Sequence, residues 1–278
     1  MKAILTIAGS DCSGGAGIQA DIKTFSAHGL FGMSAVVSVV AENTSRVISI
    51  QDITPDVIGE QIDAVFEDIE VSAIKVGMLS GVECMKAVAS KLRQYKPMLR
   101  CHPGVVIDPV MYAKNGCALM APDSIDTLIS EIIPLADVLT PNIPEAEKIA
   151  GMTIKSLSDM EDAARRIYAL GETGLAVLVK GGHSSGTDDA RDVLFDGAAF
   201  SYYSAPRVDT KNTHGTGCTT SSAIASNLAL GFTVKESVAR AKIYVTTAIQ
   251  HSLSIGKGNG PTHHFYKLYR EGLGWDEE

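Results

Sequence analysis

Short apolar runs rich in β-branched residues alternate along this chain with longer segments whose apolar positions recur at helical spacing. The runs predict strands at 3–8, 33–41, 73–76, 105–108, 137–139, 175–180, 191–195 and 199–204. Helical periodicity falls near 15–28, 55–69, 81–95, 122–131, 144–150 and 158–170, followed by two consecutive helices near 217–230 and 234–253. Strands that are apolar on both faces and separated by helices imply an α/β fold, with a mostly parallel central sheet covered on both sides. The Asp196-Gly197 pair between the last two short strands reads as a hairpin turn, so the sheet is expected to end in an antiparallel edge. No internal repeat, low-complexity tract or Pro/Ser-rich linker breaks the pattern, and one domain over residues 1–278 is expected.

Ligands of such sheets bind beyond the carboxyl ends of the strands. Those ends are polar and glycine-rich here: Gly9-Ser10-Asp11, Glu42-Asn43, Gly77-Met78, Asp108-Pro109-Val110-Met111, Thr140-Pro141-Asn142 with Glu145, Lys180-Gly181-Gly182-His183, and His214-Gly215-Thr216-Gly217-Cys218. A nucleotide and substrate cleft is expected along this row.

Composition narrows the partners. With 32 acidic and 24 basic residues the net charge is −8, and the basic residues are scattered, so nucleic acid and anionic membrane are not expected. No apolar run approaches the ~20 residues that span a bilayer, and the first residues lack the pattern of a signal peptide. Five widely spaced cysteines without a C-x-x-C pair read as reduced thiols, which places the chain in the cytoplasm.

The last glycine-rich string leads directly into a helix. Free first-turn amides, the helix dipole and glycines that admit a close approach make Gly215, Thr216 and Gly217 a candidate anion hole. Cys218 in that field is expected to have a lowered thiol pKa favouring thiolate. A kinase needs charge neutralisation more than covalent chemistry, and Asp108, Asn142, Glu145 and Lys180 supply candidate ligands for phosphate and Mg²⁺, although each alone also suits a helix cap or a surface charge.

The N-terminal glycines imitate other phosphate loops. A P-loop fails because Gly15 occupies its lysine position, whereas Gly15, Gly17 and Ala20 with Glu42 match a dinucleotide fingerprint displaced from the strand end. An NAD-dependent dehydrogenase and a non-catalytic nucleotide sensor therefore stay open. Cys84 reads as core, Cys101 and His102 as solvent-facing, and His263-His264 as a surface loop. Residues 111–117, with Lys114-Asn115-Gly116, read equally as a flap over the cleft or an ordinary turn.

The strings LTIAGSDCSGGAGIQADIKTF, AENT, IKVGML, VIDPVM, LTPNIPEAE, VLVKGGH and THGTGC together resemble the hydroxymethylpyrimidine and phosphohydroxymethylpyrimidine kinases of thiamin biosynthesis, within the ribokinase-like superfamily. The resemblance implies ATP and Mg²⁺ as cofactors, a pyrimidine alcohol as substrate, and a homodimer. It implies that Cys218 lies beside the attacking hydroxyl and that Gly215, Thr216 and Gly217 form the anion hole. It assigns Asp108, Asn142, Glu145, Lys180 and His214 to the nucleotide side, with Asp108 and Glu145 toward the metal. Gly9, Asp21, Glu42, Met78 and Val110 are implied to line the pyrimidine pocket. Members usually carry glutamine where this chain has Glu42, which accepts hydrogen bonds but, when ionised, cannot donate. The related pyridoxal kinases carry an apolar residue there and a flap cysteine near Ala113, whereas this chain has Cys117, so pyridoxal is the alternative substrate.

Overall fold

The strand β1 (Ala3–Ala8) is buried along its whole length and pairs in parallel with β2 (Phe31–Val36) and β5 (Val71–Val76). Outward from β5 follow β6 (Val105–Ile107), β7 (Val138–Leu139) and β8 (Ala176–Val179), all parallel, and then β9 (Asp189–Phe195) and β10 (Phe200–Pro206). β9 runs antiparallel to β8 and β10 antiparallel to β9, giving an eight-stranded sheet in the order β10-β9-β8-β7-β6-β5-β1-β2 with the expected antiparallel edge. The structure, a computed structural model, describes residues 1–112, 119–120, 124–172, 174–182 and 189–273. Most of the expected flap, with Cys117, and His183 lie outside the described residues.

Alternating side chains of each strand enter opposite cores. Leu5, Ile7, Ile74, Val76, Val177 and Val179 pack with residues of α2 (Pro55–Asp68), α3 (Val82–Tyr95) and α6 (Leu157–Tyr168). Ile4, Ala73, Val106 and Leu178 pack on the other face with α1 (Gly17–Ala27), α7 (Thr216–Leu230) and α8 (Val234–Gln250). Between them in sequence, α4 is one short turn (Ser124–Thr127) continued by a wider turn over Leu128–Ile132, and α5 spans Ile143–Ala150. The α7 helix shows little polar periodicity because it is buried nearly all round, from Thr219 to Ala229.

One expected strand is two. The 33–41 run breaks at Val37 into β2 and β3 (Ser38–Glu42), and β3 leaves the main sheet to pair antiparallel with β4 (Val47–Asp52). At the break the Val37 amide donates to the Ala8 carbonyl at 3.0 Å and its carbonyl accepts from Ile53 at 3.0 Å, so its backbone turns away while staying paired. The loop after β1 covers the outer side of β3, with the Ser10 amide donating to the Ser38 carbonyl at 2.9 Å. This places Glu42 over the carboxyl end of β1. His264, expected in a surface loop, is buried against α7, where its Nε2 lies 3.1 Å from Thr219 Oγ1 and burial pushes its pKa down to about 4.

Candidate active site

Two glycine-rich segments meet at the cleft. The first lies before α1 and the second before α7, and Gly215 joins them with φ +77°, a left-handed conformation glycine adopts at little cost. A Cβ on Gly215 would collide with the Gly15 carbonyl, so the close approach also requires glycine there. Asp11 ties the junction: its Oδ2 accepts from Gly15 N at 2.9 Å and Ala16 N at 2.7 Å, lies 2.8 Å from His214 Nε2, and its Oδ1 accepts from Ser13 N at 2.7 Å. Burial opposes ionisation of Asp11, but bonds with His214 and Ser13 hold its carboxyl well below the usual range. With these amides already used, Gly15 and Ala16 cannot cradle a pyrophosphate, which removes the physical basis of the dinucleotide reading.

Beyond this junction a cavity of about 650 Å³ is lined by Asp108, Val110, Asn142, Glu145, Lys180, His214, Gly215, Thr216, Gly217 and Cys218. An apolar part of the lining comes from Leu178, Pro206, Val208, Val238, Val245 and Ile249, and a Lys242–Asp192 ion pair at 2.7 Å also lines the cavity. The sequence reading had not singled out this part because its residues come from β8, β10 and α8.

The charged centre of the cavity is compact. Lys180 Nζ donates to Asp108 Oδ1 at 2.9 Å, and a Cβ on Gly217 would lie 3.3 Å from Asp108 Oδ2 and 3.5 Å from Lys180 Nζ. Burial opposes the Lys180 charge, but Asp108 and Glu145 hold its pKa above the ordinary lysine value. Asn142 and Glu145 form a capping box at the start of α5: the Glu145 amide donates to Asn142 Oδ1 at 2.9 Å, and Glu145 Oε2 accepts from Asn142 N at 2.8 Å. Burial pushes the Glu145 carboxyl up, the Lys180 ammonium pulls it down, and Asp108 adds to the rise. The nucleotide-side residues expected from sequence are thus together, though Asn142 and Glu145 also cap a helix.

The Thr216 amide, expected in the anion hole, already donates to the Thr213 carbonyl at 3.3 Å, whereas among the described residues the Gly217 and Cys218 amides have no backbone acceptor, and both residues line the cavity. The thiol corrects the sequence expectation. Burial pushes Cys218 up to about 11, with Lys75 opposing and Asp21 and Asp108 adding, so the resting side chain is a neutral thiol. Here desolvation outweighs the lowering by the Lys75 ammonium.

Gly9 and Met78 adjoin each other, a Cβ on Gly9 lying 3.3 Å from Met78 Sδ, and Gly9 accepts from the Ile18 amide at 3.0 Å. Glu42 brings a carboxylate oxygen within 4.8 Å of ligand atoms on both Asp11 and His214, and burial followed by repulsion from Asp11 pushes its pKa up to about 7. Asp21 does not line a pocket: it is fully buried, bonded to Lys75 Nζ at 2.9 Å, Thr6 Oγ1 at 2.7 Å and Ser222 Oγ at 2.6 Å. Facing inward one turn beyond Gly17, it supports the cleft from below.

The chain matches the phosphomethylpyrimidine kinase family model over residues 11–263. It is 45% identical over 270 residues to a hydroxymethylpyrimidine/phosphomethylpyrimidine kinase of Rhizobium meliloti, covering 96% of this chain and 98% of that one. A thiamine biosynthesis bifunctional protein of Geobacter sulfurreducens is 46% identical over 94% of this chain, which spans 52% of that relative's length. Among solved structures, a phosphomethylpyrimidine kinase of Clostridium difficile superposes with a TM-score of 0.78 at 44% identity, over 90% of this chain and 100% of that one. A Bacillus subtilis pyridoxal kinase in its ADP complex superposes with a TM-score of 0.86 at 38% identity, over 96% and 99%. On the family match and on identity across nearly its whole length, this chain belongs to the phosphomethylpyrimidine kinase family.

Proposed function

We propose that this chain, acting as a single-domain enzyme, transfers the γ-phosphoryl group of ATP to the hydroxymethyl group of 4-amino-5-hydroxymethyl-2-methylpyrimidine and then to the resulting monophosphate. The observation that carries this reading is the meeting of Lys180, the Gly217 and Cys218 amides and the Cys218 thiol in one 650 Å³ cavity, with the polar Glu42 side adjoining it. The apolar lining suits a purine and the charged centre suits polyphosphate. Asp108 and Glu145 are hard oxygen donors beside the lysine, which fits Mg²⁺ held through one or two carboxylates, and the ion would neutralise phosphate charge there. Transfer is then chiefly a matter of position: Lys180 and the helix amides hold the phosphoryl oxygens, while Cys218 faces the attacking hydroxyl.

The shape likeness to a pyridoxal kinase keeps pyridoxal as the competing acceptor. Steady-state comparison of the aminopyrimidine alcohol, its monophosphate and pyridoxal is expected to rank both pyrimidines above pyridoxal in kcat/KM. Equal or better use of pyridoxal would overturn the substrate assignment. The described cysteines are free, in keeping with a cytoplasmic setting, and the exposed Val39, Ile48 and Ile50 of the β3–β4 pair suit burial in a homodimer.

Glu42 is the group proposed to read the pyrimidine amine. A carboxylate accepts more strongly than a neutral acid. Pyrimidine affinity is therefore expected to rise as pH climbs through about 7, where the Glu42 acid ionises, and to stay level in Glu42→Gln. Glu42→Met is expected to weaken binding by ~1–3 kcal/mol, the cost of leaving the amine unpaired. Calorimetric titration from pH 6 to 8 checks both, and an unchanged Kd in the methionine variant removes Glu42 from the pocket.

A further inference from the structure

A lysine inside a buried parallel strand needs a reason. Lys75 lies in β5 with a fully buried side chain, and it points to the same face as Ala73, toward α1 and α7. Its length is directed along the strand toward the cleft: a Cβ on Gly77, just past the strand end, would sit 2.6 Å from Lys75 Nζ. The residue after β5 must therefore be glycine for the ammonium to lie where it does.

The helices on either side place the same levels opposite each other. On α1, Asp21, one turn beyond Gly17, bonds Lys75 at 2.9 Å. On α7, Cys218 lies at the first turn, and Ser222, one turn further, donates to Asp21 Oδ1 at 2.6 Å. The ion pair is thus the layer directly beneath the sulfur. Besides Asp21, charge on Cys218 of α7 and on Asp108 after β6 also acts on Lys75. An ion pair this deep is costly to desolvate and is weak evidence of a stability role.

We propose that Lys75 is a positioning residue of the phosphoryl-transfer site: its ammonium, anchored by Asp21 under the start of α7, governs how readily the Cys218 sulfur carries negative charge. Asp21 takes up most of that cation's field, so the thiol stays neutral at rest while a compensating charge stands beneath any anion that develops above it. The proposal rests on the kinase reading only in placing Cys218 at the transfer site.

The test is therefore read without substrate. Iodoacetamide labelling of Cys218, resolved from the other cysteines by peptide mass mapping at pH 8 and 9, follows the thiolate fraction. Lys75→Met is expected to slow Cys218 labelling by at least about tenfold, the equivalent of one unit of proton affinity. Asp21→Asn keeps its size and its Thr6 and Ser222 neighbours, and leaves the thiolate as the partner for Lys75, so labelling is expected to accelerate by about the same factor. A merely structural pair would lower Tm in both variants and leave Cys218 labelling unchanged, or move it in the same direction in both, and either result overturns the proposal. Should Lys75→Met fail to fold, the sign of the Asp21→Asn change decides alone. Normal labelling shifts without any kinase activity in the native protein would instead refute the functional reading and leave this inference standing.

Discussion

Lys180→Met is expected to lower kcat/KM for ATP by about 10³-fold, in the range of cations that stabilise transferring phosphoryl groups. In the native cleft the Lys180 ammonium is paired with Asp108, feels the Glu145 charge and is mostly buried, and the residue is held at the strand end by the hydrogen bond its backbone N–H donates to the Pro141 carbonyl at 2.8 Å. Its loss leaves two carboxyl groups facing a polyphosphate without their neutralising partner, so both nucleotide binding and the developing charge suffer. The variant also breaks a buried ion pair, which by itself destabilises by roughly 3–5 kcal/mol. Lys180→Met/Asp108→Asn separates the two effects because it removes the orphaned charge. The double variant is expected to regain most of the lost Tm while kcat/KM stays depressed by at least about 10²-fold. Recovery of activity together with stability would make the pair a structural tie.

The architecture and most of the cleft were legible because both follow from local pattern. Strands buried on both faces have to be apolar throughout, and where the pattern stops, the polar strand-end residues Asp108, Asn142, Lys180 and His214 line one cavity. What stayed hidden depends on pairing over long separations or on a balance of opposed effects. Lys75 interrupts an apolar run, which is a visible signal, but its partner Asp21 is 54 residues away, and helical spacing, which does mark α1 and α7, does not say that the two pack together over that strand. Asp21 was placed in the pocket by the family resemblance, and resemblance carries no depth: one turn beyond Gly17 on α1, its side chain is fully buried on Lys75. The 33–41 run hid its break because Val37 is as apolar as its neighbours and turns without glycine or proline. At Asn142 and Glu145 the N-x-x-E spacing carries a capping box and a phosphate-side carboxylate at once, and spacing alone cannot separate two uses of one side chain.

Cys218 is where the sign of an effect mattered most, and it sets the last prediction. A thiol pushed up to about 11 exposes only about one thiolate in 10⁴ molecules at neutral pH, so a resting thiolate cannot serve as the general base. A loose phosphoryl-transfer transition state does not require one, since the attacking oxygen gains bonding late and holds its proton until then. The neutral side chain can still orient the hydroxyl and donate toward the phosphoryl oxygens. Cys218→Ala is therefore expected to lower kcat by about 10²-fold, with the KM for ATP nearly unchanged because the helix amides remain. Cys218→Ser, which keeps one donor and one acceptor at the same place, is expected to stay within about tenfold of the native kcat. Its pH–rate profile should follow the native one between pH 7 and 9. If thiolate were the reactive form, serine would be as impaired as alanine, and the native kcat would climb about tenfold per pH unit across that range. A Cys218→Ala enzyme with near-native kcat at saturating substrate would reduce the thiol to a wall of the cleft, leaving the hydroxyl to be held by other groups.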